Sequence, residues 1–319
     1  MTVGISKPAG GINNLYRLCE IAEELGITAR VVSPTPYPYA DPPHLAKYWQ
    51  YADGHIEVNE GDIVVGPEMW PTKSMFSVPV RRVIYIQNWS ISHERQPWEK
   101  TFWYYGGVHH NYALHRCTTE VIPAGYYINP TDELQLHQAA HIIKKQKVEW
   151  YRVQPYFEFE KFNPVNPNRA RNIAIAMPRK CPNVIQHMKQ HFPLVCIDNV
   201  QPNQVSNFMR NYGVFILATP AEGLSFPAIE ALACGTAVVS WPSGAPEEFL
   251  IHNETAKMVE YGNVNMMIET TKELLANYEL QERLAEKGRA LVSKVFTKEQ
   301  TSAQLYMAYH ATCKQNPES

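Results

Sequence analysis

The sequence predicts an α/β protein made of two doubly wound domains. Short apolar runs bounded by turn residues alternate with amphipathic helical stretches, which is how buried parallel strands and their crossover helices read. A stretch rich in proline and asparagine, from Val153 to Asn168, interrupts that alternation once and reads as a linker. The 319 residues exceed one typical compact domain and suit two.

The N-terminal elements come first. Val3 to Ile5 is a short strand candidate, Pro8-Ala9-Gly10-Gly11 a turn, and Asn13 to Leu25 a helix with Leu15, Leu18, Cys19, Ile21, Ala22 and Leu25 at helical spacing. Gly26 is placed to close that helix, and Thr28 to Val32 is the next strand. The unit is βαβ, which implies a parallel sheet. Pro34 to Pro43 is a tyrosine-containing loop that proline bars from helix or central strand. Further strands are expected at Ile63 to Val65, Val83 to Ile86 and Thr119 to Ile122.

Beyond the linker, strands are expected at Asn172 to Ala176, Leu194 to Ile197, Val214 to Ala218 and Ala237 to Ser240. Helices are expected at Asn183 to His191, Phe226 to Cys234, Val264 to Tyr278, Leu280 to Val295 and Lys298 to Cys313. The expected domains are 1–160 and 161–297, with the last helix (about 298–319) packing back on the first. In such folds a ligand lies in a crevice facing the carboxyl ends of the strands.

Composition narrows the function classes. Hydrophobic residues make up 45% and net charge is −2, which excludes a disordered chain and leaves no basic excess for nucleic acid. Local clusters at Lys144, Lys145 and Lys147, and at Arg81 and Arg82, read as solvated surface. The six cysteines show no CxxC spacing, so no zinc or redox motif is indicated, and they suit reduced thiols in a cytoplasmic protein. The first residues lack the charged and apolar regions of a signal peptide, and no run approaches the roughly 18 apolar residues of a membrane span. Peripheral membrane contact stays open.

The chemistry concentrates between Ala221 and Gly235, Ala-Glu-Gly-Leu-Ser-Phe-Pro-Ala-Ile-Glu-Ala-Leu-Ala-Cys-Gly. A strand ends before Thr219, Pro227 suits a first helical turn, and Gly235 suits its close. The free N–H groups and dipole of such a helix start form an anion site fit for a diphosphate. Glu230 sits one turn in, among small and apolar residues, where a carboxylate needs a donor such as the vicinal diol of a ribose. Read alone, Glu230 fits a part-exposed helix residue and Glu222 a helix-start carboxylate favoured by the dipole.

The run resembles the signature of retaining glycosyltransferases of the GT-B fold, family 4 in particular. Glu222 and Glu230 have that family's spacing of two glutamates with seven residues between, and Gly223, Pro227, Ala231, Gly235, Val238 and Val239 match around them. Ser243-Gly244-Ala245-Pro246-Glu247 resembles the family's Gly-Gly-x-Pro-Glu turn, and His252 to Thr255 its following surface turn. The likeness covers roughly residues 170 to 300 well and the N-terminal half loosely.

The resemblance implies that Glu230 holds the nucleotide ribose and Glu222 the donor-sugar hydroxyls. Backbone amides of Gly223, Leu224, Ser225 and Phe226 would face sugar and phosphates. Arg179 and Lys180 stand where the family binds the diphosphate, adjacent on what reads as an extended loop, with Lys180 the favoured contact. Gly10 and Gly11 match the glycine loop near the donor phosphate and acceptor. Where many members carry a histidine this chain reads Gln87-Asn88-Trp89, so Asn88 or Gln87 would only hydrogen-bond, with His93, His109 and His110 as substitutes. The aromatic segments around Trp70, Trp89 and Trp103 fit either core or a sugar-stacking face.

The implied activity is transfer of a hexose or pentose from a UDP-, GDP- or ADP-sugar to a saccharide or other hydroxyl acceptor, with anomeric retention. No cofactor is required and no metal motif is present. The alternatives are a nucleotide-sugar epimerase of the same architecture and a non-catalytic nucleotide-sugar-binding protein. A DNA-modifying transferase is disfavoured by the charge balance.

Overall fold

The computed structural model describes residues 10–33, 48–50, 62–67, 81–86, 112–115, 149–162, 166–200, 202–219, 222, 224–243 and 245–314. Contacts divide the chain into two compact units, Met1–Tyr156 with Lys298–Ser319, and Phe157–Thr297.

In the first unit, helix α1 (Gly10–Glu24) begins earlier than the periodicity indicates, so Gly10 and Gly11 form its first turn and not a preceding loop. The apolar count starts after Asn13 because glycines carry no side chain to register a face. The close falls where the sequence puts it. Gly26 has φ +77°, its N–H reaches the Glu23 carbonyl, and the Ile27 N–H reaches that of Ala22 at 2.9 Å, a glycine-closed helix end. Strand β1 is Val31–Ser33, later than the expected 28–32, because the stretch from 27 to 30 is drawn back onto α1. Glu23 accepts from the Ala29 N–H at 2.8 Å and pairs with Arg30.

β1 runs parallel to β2 (Tyr48–Gln50). A separate four-stranded parallel sheet has the order β3 (Ile63–Pro67), β4 (Arg81–Ile86), β5 (Tyr112–His115), β6 (Glu149–Arg152). The strand expected at 3–5 and that at 119–122 lie outside the described residues. The C-terminal helix, named α7 below, belongs to this unit. Its Ala308 packs with Leu18 and Val153, and Gln304 and Gln300 hydrogen-bond the backbone and side chain of Gln154. Lys298 pairs with Glu24 at 2.6 Å.

The second unit carries a five-stranded parallel sheet. Its members are β7 (Ala170–Ala176), β8 (Leu194–Cys196), β9 (Tyr212–Leu217), β10 (Ala237–Ser240) and β11 (Lys257–Met258), in the order β11-β10-β9-β7-β8. Strand order reverses between β7 and β9, the topological switch point beside which ligands of open parallel sheets bind. β7 starts two residues before the expected Asn172, with a register irregularity between Ala170 and Ala174 where it pairs with β9.

Helices α2 (Pro182–Met188), α3 (Pro202–Asn211), α4 (Phe226–Ala233), α5 (Val264–Ala276), α6 (Tyr278–Val295) and α7 (Lys298–Lys314) complete the described set. The boundary between α5 and α6 is set by Asn277, which ends one helix and caps the next by accepting the Leu280 N–H at 2.9 Å. α4 is buried nearly all round: Ala228, Ile229, Ala231, Leu232 and Ala233 are enclosed with Phe215, Leu217 and Val238 of the sheet and Val292 and Phe296 of α6 and its end. That enclosure fixes α4 rigidly, since close-packed interiors leave little room for a helix to shift. Gly288 of α6 lets the two helices meet; a Cβ there would stand 2.5 Å from Leu232 Cδ2.

Candidate functional site

Three loops leave the carboxyl ends of three neighbouring strands of the second unit. The loop after β7 is not extended, as expected, but a single 3-10 turn, Pro178–Lys180. The tight turn makes successive side chains diverge by about a third of a revolution. Lys180 is thereby brought to Glu222, and the two form an ion pair across 42 residues of sequence. Arg179 is exposed and makes no ion pair among the described residues.

Glu222 lies on the loop after β9. Its side chain is only 11% exposed, against 43% for Lys180. Its backbone is anchored to the third loop: the Glu222 N–H donates to the Ser243 carbonyl at 2.8 Å, and the Ser243 N–H donates to Glu247 Oε1 at 2.8 Å. The Pro-Glu of the turn after β10 thus holds Ser243, and Ser243 holds Glu222. Trp241 ties the start of the same loop, its indole N–H donating to the Thr219 carbonyl at 2.6 Å.

Glu222 leads into α4. Leu224 is fully buried in the core and pins the loop. Ser225 occupies the N-cap position in left-handed geometry, φ 59° and ψ 76°, and its side chain makes no cap hydrogen bond. The Ala228 N–H closes on the Ser225 carbonyl at 3.1 Å, while the N–H groups of Leu224 and Ser225 meet no described acceptor. Pro227 has no N–H to satisfy. The start of α4 therefore presents its positive dipole end at the switch point, with the Leu224 and Ser225 N–H groups lacking an acceptor among the described residues. Glu230, half-buried, stands one turn further along.

The opposite end of α4 is closed. The Arg169 guanidinium donates to the carbonyls of Cys234 and Gly235 and, at 3.2 Å, to that of Arg210. Thr236 N–H bonds the Ala231 carbonyl at 2.9 Å, and Gly235 turns the chain with φ 66°. Burial lowers the pKa of Arg169 from its ordinary value. Burial also pushes the Cys234 thiol up to about 12, with the Glu230 carboxylate adding to the rise and Arg210 opposing it.

Of the residues singled out from sequence, Lys180, Glu222, Leu224, Ser225, Phe226 and Glu230 belong to these three loops and α4. Arg179 flanks them. Gly10 and Gly11 are in the other unit, in the first turn of α1. Asn88 and Gly223 lie outside the described residues, as do Gln87, His93, His109 and His110. Ser243 was matched only as part of a turn; no local sequence signal marks it as the anchor of Glu222. Among the described residues no group of three or more His, Cys, Asp or Glu side chains could hold a metal, and no helix is long and apolar enough to cross a membrane.

Comparison with known structures defines the class first. Anabaena HepE, solved in complex with UDP-glucose, matches with a TM-score of 0.71 at 11% identity, covering 97% of this chain and 98% of that one. The chain has the α/β GT-B fold. Residues 193–291 match the family described as Glycosyl transferases group 1, a stretch that holds Glu222, Ser225, Glu230 and Ser243. An uncharacterized glycosyltransferase of Methanocaldococcus jannaschii is 31% identical over 92 residues, which are 29% of this chain and 26% of that protein. The lipopolysaccharide core biosynthesis glycosyltransferase LpsE of Rhizobium meliloti is 30% identical over 92 residues, 29% of this chain and 27% of that protein. The matched stretch thus spans about a quarter of these curated relatives.

Proposed function

We propose that the chain is a glycosyltransferase that takes its sugar from a nucleoside diphosphate sugar and passes it, with retention at the anomeric carbon, to a hydroxyl acceptor. The observation that carries this reading is the Lys180–Glu222 pair beside the uncapped start of α4. One cation, free backbone donors and a helix dipole converge there with a carboxylate. The first three suit a diphosphate, and the last suits sugar hydroxyls. Two observations support the same assignment: residues 193–291 match a glycosyltransferase family and a curated glycosyltransferase, and HepE, of the same fold, is solved with UDP-glucose.

Donor binding exchanges partners within the pair. A part-exposed ion pair is worth at most about 1 kcal/mol. The diphosphate, with more charge, draws Lys180 at little cost. Glu222, kept in place by its backbone bond to Ser243, then turns its acceptor oxygens to the sugar. Glu230 accepts from the ribose hydroxyls. In the transfer itself the acceptor oxygen bonds the anomeric carbon as the bond from that carbon to the diphosphate oxygen breaks. The acceptor proton passes to the leaving diphosphate. Lys180, the α4 donors and Arg179 stabilise the charge that grows there, which is the main service a protein can render in such a step.

Titration calorimetry with UDP, GDP and ADP tests the reading, and saturable binding of at least one is expected. Absence of binding by all three would remove it. With the nucleotide that binds, Glu230→Ala is expected to weaken affinity about tenfold, the loss of one charge-assisted hydrogen bond, with the fold intact by circular dichroism.

A further inference from the structure

Helix α2 carries two histidines four residues apart, His187 in its last turn and His191 in the turn that follows it. Residues at that spacing lie on one face of a helix, one above the other. The chain keeps turning past Met188. The Lys189 N–H returns to the Ile185 carbonyl at 3.1 Å, that of Gln190 to His187 at 3.1 Å and that of His191 to Met188 at 3.0 Å. The closing turn is thus tightened to three-residue steps, which carries His191 round to His187. The two ring centres stand 5.0 Å apart, with an interplanar angle of 70°.

Both histidines are exposed, and neither ring makes a hydrogen bond or an ion pair among the described residues. Other histidines of the second unit and of α7 are engaged: His252 Nδ1 accepts from the Met258 N–H at 3.1 Å, and His310 packs against Tyr306 and Tyr309. The backbone beneath the pair is held, because Ile185 and Met188 on the inner side of α2 are buried. Lys189 falls between the two histidines in sequence, and residues two apart on a helix do not share a face.

Imidazole nitrogen binds zinc and its neighbours in the transition series at about 2.0–2.1 Å. An ion shared by two imidazoles lies about 3.2 Å from each ring centre, and with its two bonds at right or tetrahedral angles the centres are about 4.5–5.2 Å apart. The observed 5.0 Å falls within that interval. Rotation about the Cβ–Cγ bond leaves a ring centre almost in place and is a soft torsion. Each exposed ring can therefore turn one nitrogen to the common point with the backbone unmoved.

We propose that His187 and His191 form a surface site for a divalent late transition-metal ion, of the Ni²⁺, Cu²⁺ or Zn²⁺ class. Imidazole is the donor these ions take and that Mg²⁺ and Ca²⁺ do not prefer. Solvent supplies the remaining ligands as water. The site lies at the end of α2 remote from the Lys180 turn and does not depend on the donor reading. Filling it clips the closing turn of the helix.

Calorimetry with Ni²⁺ on the full chain, carrying no added histidine tag, tests the site at about pH 7.5 and about pH 5, since a proton on imidazole excludes the metal. Saturable binding is expected at the higher pH and its loss at the lower, with no binding of Mg²⁺. His187→Gln and His191→Gln are each expected to lose at least about tenfold in Ni²⁺ affinity, and His252→Gln to keep it. In the unaltered chain, paramagnetic Ni²⁺ is expected to broaden the NMR signals of the His187 and His191 rings before those of any other histidine. Absence of saturable binding by the unaltered chain overturns the proposal. So does undiminished affinity in either variant, or broadening that starts at another histidine. Should either variant melt lower without metal, the broadening in the unaltered chain decides.

Discussion

The two ends of α4 are built in opposite ways. At the carboxyl end every device of a closed helix is present. Gly235 takes φ 66°, the Gly235 and Thr236 N–H groups return to Leu232 and Ala231, and Arg169 crosses from the start of β7 to cover the last carbonyls. At the amino end the residue in the matching left-handed conformation is a serine, its side chain makes no cap, and the Leu224 and Ser225 N–H groups meet no acceptor among the described residues. A helix held firmly at one end and open at the other fits the donor site proposed above. Preorganised donors of that kind bind an anion without a reorganisation cost.

Breaking the closed end should have the largest effect on stability. Arg169→Ala leaves the carbonyls of Cys234 and Gly235 without their charged donor, and a loss of about 3 kcal/mol is expected, from hydrogen bonds to charged groups at about 1.5–3 kcal/mol each. Urea denaturation reads it. A change under 1 kcal/mol would show that water replaces the guanidinium and that this end is less closed than its geometry indicates.

A middle-sized effect comes from the Cys234 thiol at the same end. Its folded pKa, about 12, lies above its ordinary value of 9.0. Below pH 9 both folded and unfolded chains keep the proton, so the full stability is present. Between pH 9 and about 12 the unfolded chain ionises first, and stability falls as pH rises, by at most about 1.4 kcal/mol per pH unit for this group. Cys234→Ala should flatten that alkaline decline relative to the unaltered chain. Parallel curves for the two proteins would place the alkaline loss elsewhere, with Cys19, also pushed up to about 12 by burial, the next residue to substitute.

The smallest effect contrasts the two left-handed positions directly. Ser225→Gly relieves strain of about 1 kcal/mol and should raise the melting temperature, whereas Gly235→Ala introduces strain of similar size and should lower it. Equal signs at the two sites would end the comparison between them.

Much of the second unit was legible because its signals are local. β10 and the start of α4 fall on the expected residues, since Pro227 and Gly235 punctuate the helix and Val238 and Val239 announce the strand. The sequence carried the first of two helices through Tyr278, whereas Asn277 ends it at Ala276 and caps the next, because a cap is visible only once its side chain meets the Leu280 N–H. Other elements escaped. α3 carries Val205, Phe208 and Met209 at helical spacing, yet its polar residues diluted the pattern. β2, β5 and β6 are short strands with polar or aromatic members, too brief for a period to register. Gly10 and Gly11 read as a turn by composition and form a helix start instead.

Sequence alone determined the alternation of elements, the α/β class and the run from Glu222 to Glu230 on which the proposed function rests. Those properties follow from spacing within a dozen residues, where apolar period, proline and glycine act directly on the backbone. Tertiary structure decided which side chains meet. The Lys180–Glu222 pair depends on β7 and β9 lying side by side, and the Ser243–Glu222 bond on β10 lying next to β9. Strand order is a property of the whole sheet, so contacts that depend on it appear only once the chain has chosen its neighbours.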